Sequence, residues 1–251
     1  MVHFVGAGCG AADLITVRGA RLLSEADVII YAGSLVNPGL LGFARPGCEI
    51  HDSSKMTLEQ VIDAIQDAEV RGLVTVRLHT GDTSLYGAVR EQFDRLDALG
   101  IEYDVTPGVS AFCGAAAALK REYTLPEVSQ TVIITRAAGR TPVPERERIR
   151  ALAAHQATMA LFLSASLVRE VQDELLEGGY APETPAAIVY KATWPDEKVL
   201  RCTVDTLADT ARASGLSRTA LILVGRFLEG DYARSKLYDP DFTTGYRQGR
   251  P

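Results

Sequence analysis

Short runs of consecutive hydrophobic residues recur along the first half of the chain, and glycine, proline or small polar residues follow each run. Such runs are typical of strands in a parallel sheet, which is buried on both faces. They predict strands at residues 2–5, 26–31, 73–78 and 101–105. Hydrophobic residues spaced three and four apart predict helices at residues 13–23, 58–71, 86–99 and 113–119.

The second half of the chain has a similar but less regular pattern. It predicts strands at residues 131–135, 157–163, 186–190, 198–203 and 219–224, with a helix at 167–176. The alternation of strands and helices predicts two α/β domains. We expect an N-terminal domain, residues 1–119, with a mostly parallel sheet and helices on both faces. A C-terminal domain, residues 120–251, would carry a mixed sheet and a C-terminal arm containing several aromatic residues.

The loops that follow the first four predicted strands contain the candidate functional residues. In a parallel sheet these loops share the carboxyl edge, where open α/β sheets bind ligands. Three of them, at residues 6–10, 79–87 and 106–112, are rich in small and polar residues and predict one pocket. Each also has a purely structural explanation: a glycine turn, a helix N-cap formed by Asp82 or Ser84, and a type II turn.

Composition and charge narrow the function. Of the 251 residues, 47% are hydrophobic and 23% charged, which excludes disorder as the main state. The net charge of −6 weighs against nucleic acid as a partner. Four scattered cysteines without CxxC spacing favour reduced thiols in a cytoplasmic protein, and four scattered histidines give little support to a metal site. No hydrophobic run approaches the about 20 residues of a membrane span, and the N-terminus lacks signal-peptide features.

The glycine loop at residues 6–11 superficially matches a dinucleotide-binding fingerprint. Its third glycine, Gly10, gives a different spacing from that fingerprint, and the second strand ends at Tyr31 rather than at an acidic residue. The sequence therefore disfavours an NAD-dependent enzyme.

Four motifs in order identify a family resemblance. They are the glycine loop followed by Leu-Ile-Thr at 14–16, the strand at 26–31, Gly-Asp-Thr-Ser-Leu-Tyr-Gly at 81–87 and Pro-Gly-Val-Ser-Ala at 107–111. Together they resemble the class III, tetrapyrrole-type S-adenosylmethionine methyltransferases, from residue 5 to about residue 247. Segments 31–38, 52–58, 190–197 and 237–242 are similar to a member of this family from cobalamin (corrin ring) biosynthesis.

The resemblance implies a homodimer of two α/β domains, with S-adenosylmethionine in a cleft between the domains and a tetrapyrrole as methyl acceptor. S-adenosylhomocysteine would be the product of the cofactor. Carried over by position, the implied cofactor contacts are Cys9, Gly81, Asp82, Leu85, Ser110, Ala111, Leu163, Ala187 and Ala220. Cys9 stands where the family usually has proline. The last three residues, from second-domain strands, also fit as ordinary core residues.

The sequence departs from the family where acidic residues are common. Ala11 replaces an aspartate, the loop containing Gly33 lacks one, and Thr83 replaces proline. Asp82 and Tyr86 remain the candidates for proton handling, with cofactor binding and helix capping as their alternative roles. Basic residues expected to meet the substrate carboxylates are Lys55, Arg90, Arg121 and Lys191.

Three other activities stay open for the same fold. One is methylation of another tetrapyrrole carbon, as in the uroporphyrinogen III and precorrin-2 reactions. Another is a non-catalytic tetrapyrrole-binding role, which the missing acids would suit. The third is the activity of relatives that modify RNA or a translation factor, of which the acidic charge disfavours the RNA version.

Overall fold

A five-stranded parallel sheet organises the first part of the chain. The computed structural model describes residues 1–250, and the side chains of all of these except Ser34. The strands are β1 (Val2–Gly6), β2 (Val28–Tyr31), β3 (Glu49–Asp52), β4 (Thr75–His79) and β5 (Tyr103–Thr106). Their order is β3-β2-β4-β1-β5, and every neighbouring pair is parallel. The helices are α1 (Val17–Glu25), α2 (Leu58–Val70), α3 (Arg90–Leu99) and α4 (Ala111–Leu119).

Helices cover both faces of this sheet, as predicted. Phe4 of β1 belongs to the same buried cluster as Ile65 of α2 and Leu96 of α3, whereas Val5 clusters with Leu22 of α1. The connection after β1 therefore leaves towards one face and the connection after β4 towards the other. Since β1 and β4 are adjacent, this divergence opens a crevice at their carboxyl ends, the place where open α/β sheets bind ligands.

The second sheet is mixed, also as predicted. It contains β6 (Val132–Arg136), β7 (Thr158–Phe162), β8 (Pro185–Tyr190), β9 (Lys198–Thr203) and β10 (Ala220–Val224) in the order β6-β7-β10-β8-β9. Only β6 and β7 pair in parallel among these described strands. The associated helices are α5 (Ile149–Ala153), α6 (Val168–Glu177) and α7 (Leu207–Ser214). Alternate strand residues such as Met159 and Ile222 share a buried cluster with Leu175 of α6.

The chain divides into two compact units. The first comprises Met1–Ala115 and Lys191–Glu197, and the second comprises Ala116–Tyr190 and the chain from Lys198 onward. The sequence pattern predicts a single boundary between residues 119 and 120. The structure divides the chain between Ala115 and Ala116, within α4, and also assigns Lys191–Glu197, the connection from β8 to β9, to the first unit.

Several predicted element boundaries are wrong for physical reasons. The helix predicted from residue 86 begins at Arg90 because Tyr86 (φ 55°) and Ala88 (φ 48°) have left-handed backbones that no α-helix accommodates. The helix predicted from residue 13 begins at Val17, where the Thr16 hydroxyl accepts the Gly19 N–H at 3.0 Å. The hydrophobic pattern does not predict β3, which is a largely exposed edge strand, or the short helices α5 and α7.

The C-terminal arm carries a single 3-10 turn, Lys236–Tyr238, among its described residues. Its backbone is held locally, since the Arg247 guanidinium donates to the carbonyls of Leu237 (3.0 Å) and Asp239 (2.6 Å). Within the described chain, none of the helices combines the length and the hydrophobicity that crossing a bilayer requires.

Candidate functional site

Four glycines bring the loops after β1, β4 and β5 into backbone contact. Gly8 and Gly81 exchange N–H···O bonds of 3.2 and 3.0 Å. A Cβ atom at Gly6 would lie 2.6 Å from the Gly108 Cα, and one at Gly108 would lie 2.7 Å from the Gly6 Cα. Only glycine allows this approach, so the predicted convergence of the three loops follows directly from these residues.

The Asp82 carboxylate clamps two of these loops together. One oxygen accepts the Gly108 N–H at 2.8 Å, and the other accepts the Ser84 N–H at 3.0 Å and the Ser84 hydroxyl. Partial burial opposes ionisation, but the hydrogen bonds from Ser84 and Gly108 outweigh it and hold the pKa of Asp82 below its ordinary value. Asp82 is therefore ionised at neutral pH, and both of its oxygens are engaged.

The predicted helix-capping role of Asp82 and Ser84 is wrong. Because α3 begins only at Arg90, the Asp82–Ser84 hydrogen bond closes an Asx turn instead of an N-terminal helical turn. Leu85, another predicted cofactor contact, follows in this turn and is half-buried.

Tyr86 lies on a strained segment of the same loop. Its left-handed backbone is uncommon for a bulky residue, and its side chain is 44% exposed. At the neighbouring Gly87 a Cβ atom would lie 2.5 Å from the Thr83 carbonyl oxygen, so the loop closes tightly here. Strain of this kind is held in place by surrounding contacts.

A buried arginine supplies such contacts. Arg77 of β4 is 5% exposed, and its Nε donates to Gln92 Oε1 at 3.0 Å, while Gln92 Nε2 donates to the Ala88 carbonyl at 3.0 Å. Its guanidinium also donates to the Ile30 carbonyl at 3.0 Å. Burial lowers the pKa of Arg77 to about 10, so the group stays charged at neutral pH. This network links the end of β2 to the strained loop.

His79 and Thr80 lie at the carboxyl end of β4. Burial, with a further contribution from the charge of Arg77, lowers the pKa of His79 to about 3 and keeps the imidazole neutral. Among residues 1–250, His79 Nε2 and Thr80 Oγ1 are buried without a hydrogen-bond partner. Unpartnered buried polar atoms are uncommon, and Thr80 directly precedes Gly81 of the loop after β4.

Cys9 lies in the glycine loop with its side chain packed inside the first unit. Its thiol is 3.6 Å from Thr193 Oγ1, and a Cβ atom at Gly114 would lie 2.8 Å from the Cys9 Cβ. The backbone of this loop, and not the buried thiol, is therefore the part able to meet a cofactor. Asn37 Nδ2 also holds the loop by donating to the Gly10 carbonyl at 2.8 Å.

Ser110 and Ala111 form the start of α4. Ser110 is buried, and its carbonyl accepts the Cys113 N–H at 3.0 Å. A Cβ atom at Gly81 would lie 3.6 Å from the Ala111 nitrogen. The structure thus brings Gly81, Asp82, Ser110 and Ala111 together at one edge, as the sequence predicts.

The three second-unit residues have different positions. Leu163 directly follows β7 with a left-handed backbone (φ 53°) and a 65% exposed side chain. Ala220 begins the antiparallel neighbour β10, at the same end of the sheet, but its side chain belongs to the buried core cluster. Ala187 is fully buried further along β8, opposite Leu223. The structure brings Leu163 and Ala220 together and leaves Ala187 apart.

Three of the four predicted basic residues are engaged by neighbouring groups of their own unit. Arg90 pairs with Asp94 at 2.8 Å, Lys191 pairs with Asp196 at 2.7 Å, and Arg121 donates to the Leu228 carbonyl at 2.8 Å in the second unit. Lys55 is exposed at the end of a 3-10 turn. In the described part of the chain, His, Cys, Asp and Glu side chains form no group of three that could hold a metal ion.

Sequence reasoning missed two contributors to this site. Thr193 contacts the glycine loop across 182 residues of sequence, which no local pattern signals. Arg77 occurs inside a hydrophobic strand, where a charged residue is itself a signal, since buried arginine is rare without a structural or functional role.

Comparisons with known proteins give consistent matches. Residues 1–208 match the family model described as Tetrapyrrole (Corrin/Porphyrin) Methylases. A cobalt-precorrin-4 C(11)-methyltransferase of Methanocaldococcus jannaschii is 53% identical over 248 residues, covering 98% of this chain and 96% of that protein. A precorrin-4 C(11)-methyltransferase of Mycobacterium tuberculosis is 48% identical over 239 residues, covering 94% of this chain and 95% of that protein.

Solved structures agree with these matches. The structure of a cobalt precorrin-4 methyltransferase of cobalamin biosynthesis matches with a TM-score of 0.89 and 45% identity, covering 91% of this chain and 96% of that one. A uroporphyrin-III C-methyltransferase from Thermus thermophilus, complexed with S-adenosylhomocysteine, matches with a TM-score of 0.75 and 25% identity, covering 91% and 93%.

Proposed function

This chain belongs to the tetrapyrrole (corrin/porphyrin) methylase family, and on that premise we propose that it methylates carbon 11 of precorrin-4 with S-adenosylmethionine. The product would be precorrin-5, an intermediate of cobalamin biosynthesis. The observation that carries this proposal is the 53% identity, over 98% of the chain, to a cobalt-precorrin-4 C(11)-methyltransferase.

The first unit fits an adenosine-bearing cofactor. Gly81 has a left-handed backbone (φ 62°) and no side chain, so no side chain at position 81 covers the start of α4. The buried, unpartnered Thr80 Oγ1 offers a hydrogen bond beside it. Backbone groups of residues 8–11, Gly81, Ser110 and Ala111, with the half-buried Leu85 for apolar contact, would hold the cofactor. S-adenosylmethionine, when bound, supplies a methyl group attached to a cationic sulfur. The sulfur leaves as a neutral thioether, so its departure needs no acid.

The residues of the chain then serve mainly to position donor and acceptor. Alignment of the reacting groups and exclusion of water account for much of the rate of such an in-line displacement. We assign Asp82 to fixing the loop geometry, because an ionised carboxylate with both oxygens engaged is poorly placed to take a proton. Tyr86, on the strained loop, is the residue we assign to proton handling. The cofactor contacts of Leu163, Ala187 and Ala220 stay predictions.

Two measurements test the proposal. Titration calorimetry with S-adenosylhomocysteine should detect binding, and the absence of binding would refute a methyltransferase. Incubation with labelled donor and either precorrin-4 or cobalt-precorrin-4, followed by mass and NMR analysis, should place the label on C11. Label at another carbon would indicate one of the other tetrapyrrole methylations, and binding of cofactor and tetrapyrrole without transfer would indicate a carrier.

We also propose that the protein is a cytoplasmic homodimer. Exposed apolar side chains of the C-terminal arm, including Leu237, Tyr238 and Tyr246, favour self-association. The four cysteines are all free in the structure, in keeping with a reducing compartment. Light scattering after size-exclusion chromatography should give twice the chain mass of 27.0 kDa, and a monomeric mass would refute the dimer.

A further inference from the structure

The connection between β8 and β9 forms part of the first unit and contacts its glycine loop directly. Within this connection, Lys191–Glu197, Thr193 Oγ1 accepts the Ala11 N–H at 2.9 Å. The same hydroxyl lies 3.6 Å from the Cys9 thiol. One side chain from the far part of the sequence thus contacts both ends of the segment Cys9–Ala11.

The connection holds Thr193 in a backbone conformation that threonine avoids. Its φ of 68° is left-handed, which for a β-branched residue is a clear outlier. The Thr193 N–H donates to Glu197 Oε2 at 2.6 Å, and Lys191 Nζ pairs with Asp196 at 2.7 Å. The Glu197 contact holds the Thr193 backbone, and the Lys191–Asp196 pair closes the connection around it; strain held in this way is common at residues with a functional role.

The connection and the glycine loop also fit each other sterically. A Cβ atom at Gly10 would lie 2.5 Å from the Ala192 carbonyl oxygen and 2.6 Å from Trp194 Nε1. The Trp194 ring therefore occupies the space that a side chain at position 10 would need. Lys191 Nζ lies 5.3 Å from the centre of that ring, within range of a cation–π contact that holds the indole in place.

We propose that Thr193 is a positioning residue that sets the affinity for S-adenosylmethionine by fixing the backbone of Cys9–Ala11. Its hydroxyl orients the Ala11 amide, and Trp194 prevents the loop from moving towards the connection. The inference rests on the proposed function, because it concerns the loop assigned to the cofactor.

The test compares three variants. Thr193→Val keeps the branched shape and removes the acceptor, and Thr193→Ser keeps the hydroxyl. Thr206→Val is the matched control, because the Thr206 hydroxyl accepts the Thr203 N–H at 3.0 Å, a bond of the same type in the second unit. Calorimetry gives the affinity for S-adenosylhomocysteine, steady-state kinetics give KM for each substrate and kcat, and thermal unfolding gives Tm.

We expect Thr193→Val to weaken S-adenosylhomocysteine binding about tenfold and to raise KM for S-adenosylmethionine by a similar factor. KM for the tetrapyrrole should stay unchanged. Thr193→Ser should bind within about twofold of wild type, and Thr206→Val should lower Tm without changing either KM.

Wild-type affinity in Thr193→Val would overturn the inference, as would equal weakening by Thr206→Val or failure of Thr193→Ser to restore binding. These outcomes differ from failure of the proposed function. In that case wild type itself would not bind S-adenosylhomocysteine.

Discussion

Replacement of Asp82 by alanine is the most direct test of the loop clamp. The change removes the acceptor of the Gly108 N–H and of both Ser84 donors. A hydrogen bond to a charged group contributes about 1.5–3 kcal/mol, and water will replace part of that at a half-buried site. We therefore expect the free energy of unfolding to fall by about 2 kcal/mol. Affinity for S-adenosylhomocysteine should fall at least tenfold, about 1.4 kcal/mol, because the loops after β4 and β5 lose their link.

The assay separates a local clamp from general loosening. Asp82→Asn keeps one oxygen, which can accept either from Ser84 or from the Gly108 N–H, while its NH₂ group faces the other donor. Its effect should therefore be intermediate. Asp67→Ala is the control, since Asp67 forms an exposed pair with Arg71 at 2.9 Å that contributes about 0.5 kcal/mol or less. Denaturant unfolding and calorimetry are measured for all three. Unchanged S-adenosylhomocysteine affinity in Asp82→Ala would refute the reasoning, even if stability fell.

Three further predictions follow from the same region. Gly108→Ala should abolish measurable S-adenosylhomocysteine binding in calorimetry, because the new methyl group would overlap the Gly6 backbone; retained binding would show that the loops can separate. Tyr86→Phe should lower kcat about tenfold or more with unchanged KM for S-adenosylmethionine, and an unchanged kcat would exclude proton handling by the phenol. His79 is neutral in the fold and takes up a proton on unfolding. Its contribution to the free energy of unfolding should therefore be fully present above pH 6.5 and decrease towards pH 3, with a loss of about 2 kcal/mol at pH 5. Urea unfolding across this range should show a weaker pH dependence in His79→Leu, and equal slopes would contradict the buried neutral state.

The sequence predicted the parts of the fold that depend on local patterns. Hydrophobic runs located nine of the ten strands, and the motif order identified the family, which the comparisons confirm. The missed strand, Glu49–Asp52, is an exposed edge strand that carries no hydrophobic run. The helix predicted from residue 86 begins too early, because hydrophobic spacing carries no information on the left-handed backbones of Tyr86 and Ala88.

The candidate site was predicted unevenly for a related reason. The convergence of Gly6, Gly81 and Gly108 follows from strand order, because the loops after parallel strands share one edge. The side-chain contacts that hold this edge do not follow from it. Asp82 was recognised as important, but its role as a clamp depends on a partner 26 residues away. The contact between Thr193 and Ala11 spans 182 residues and has no local signal at either end.

The placement of Lys191–Glu197 limits how this chain can be divided or lengthened. A single cut cannot release a complete first unit, because a fragment ending at Ala115 lacks the acceptor of the Ala11 amide and the ring beside Gly10. Such a fragment would need the missing peptide supplied as a separate molecule. Hairpin connections at a surface usually tolerate inserted residues. The connection between β8 and β9 should not, because its residues Ala192, Thr193 and Trp194 contact the glycine loop and its two ends continue into strands.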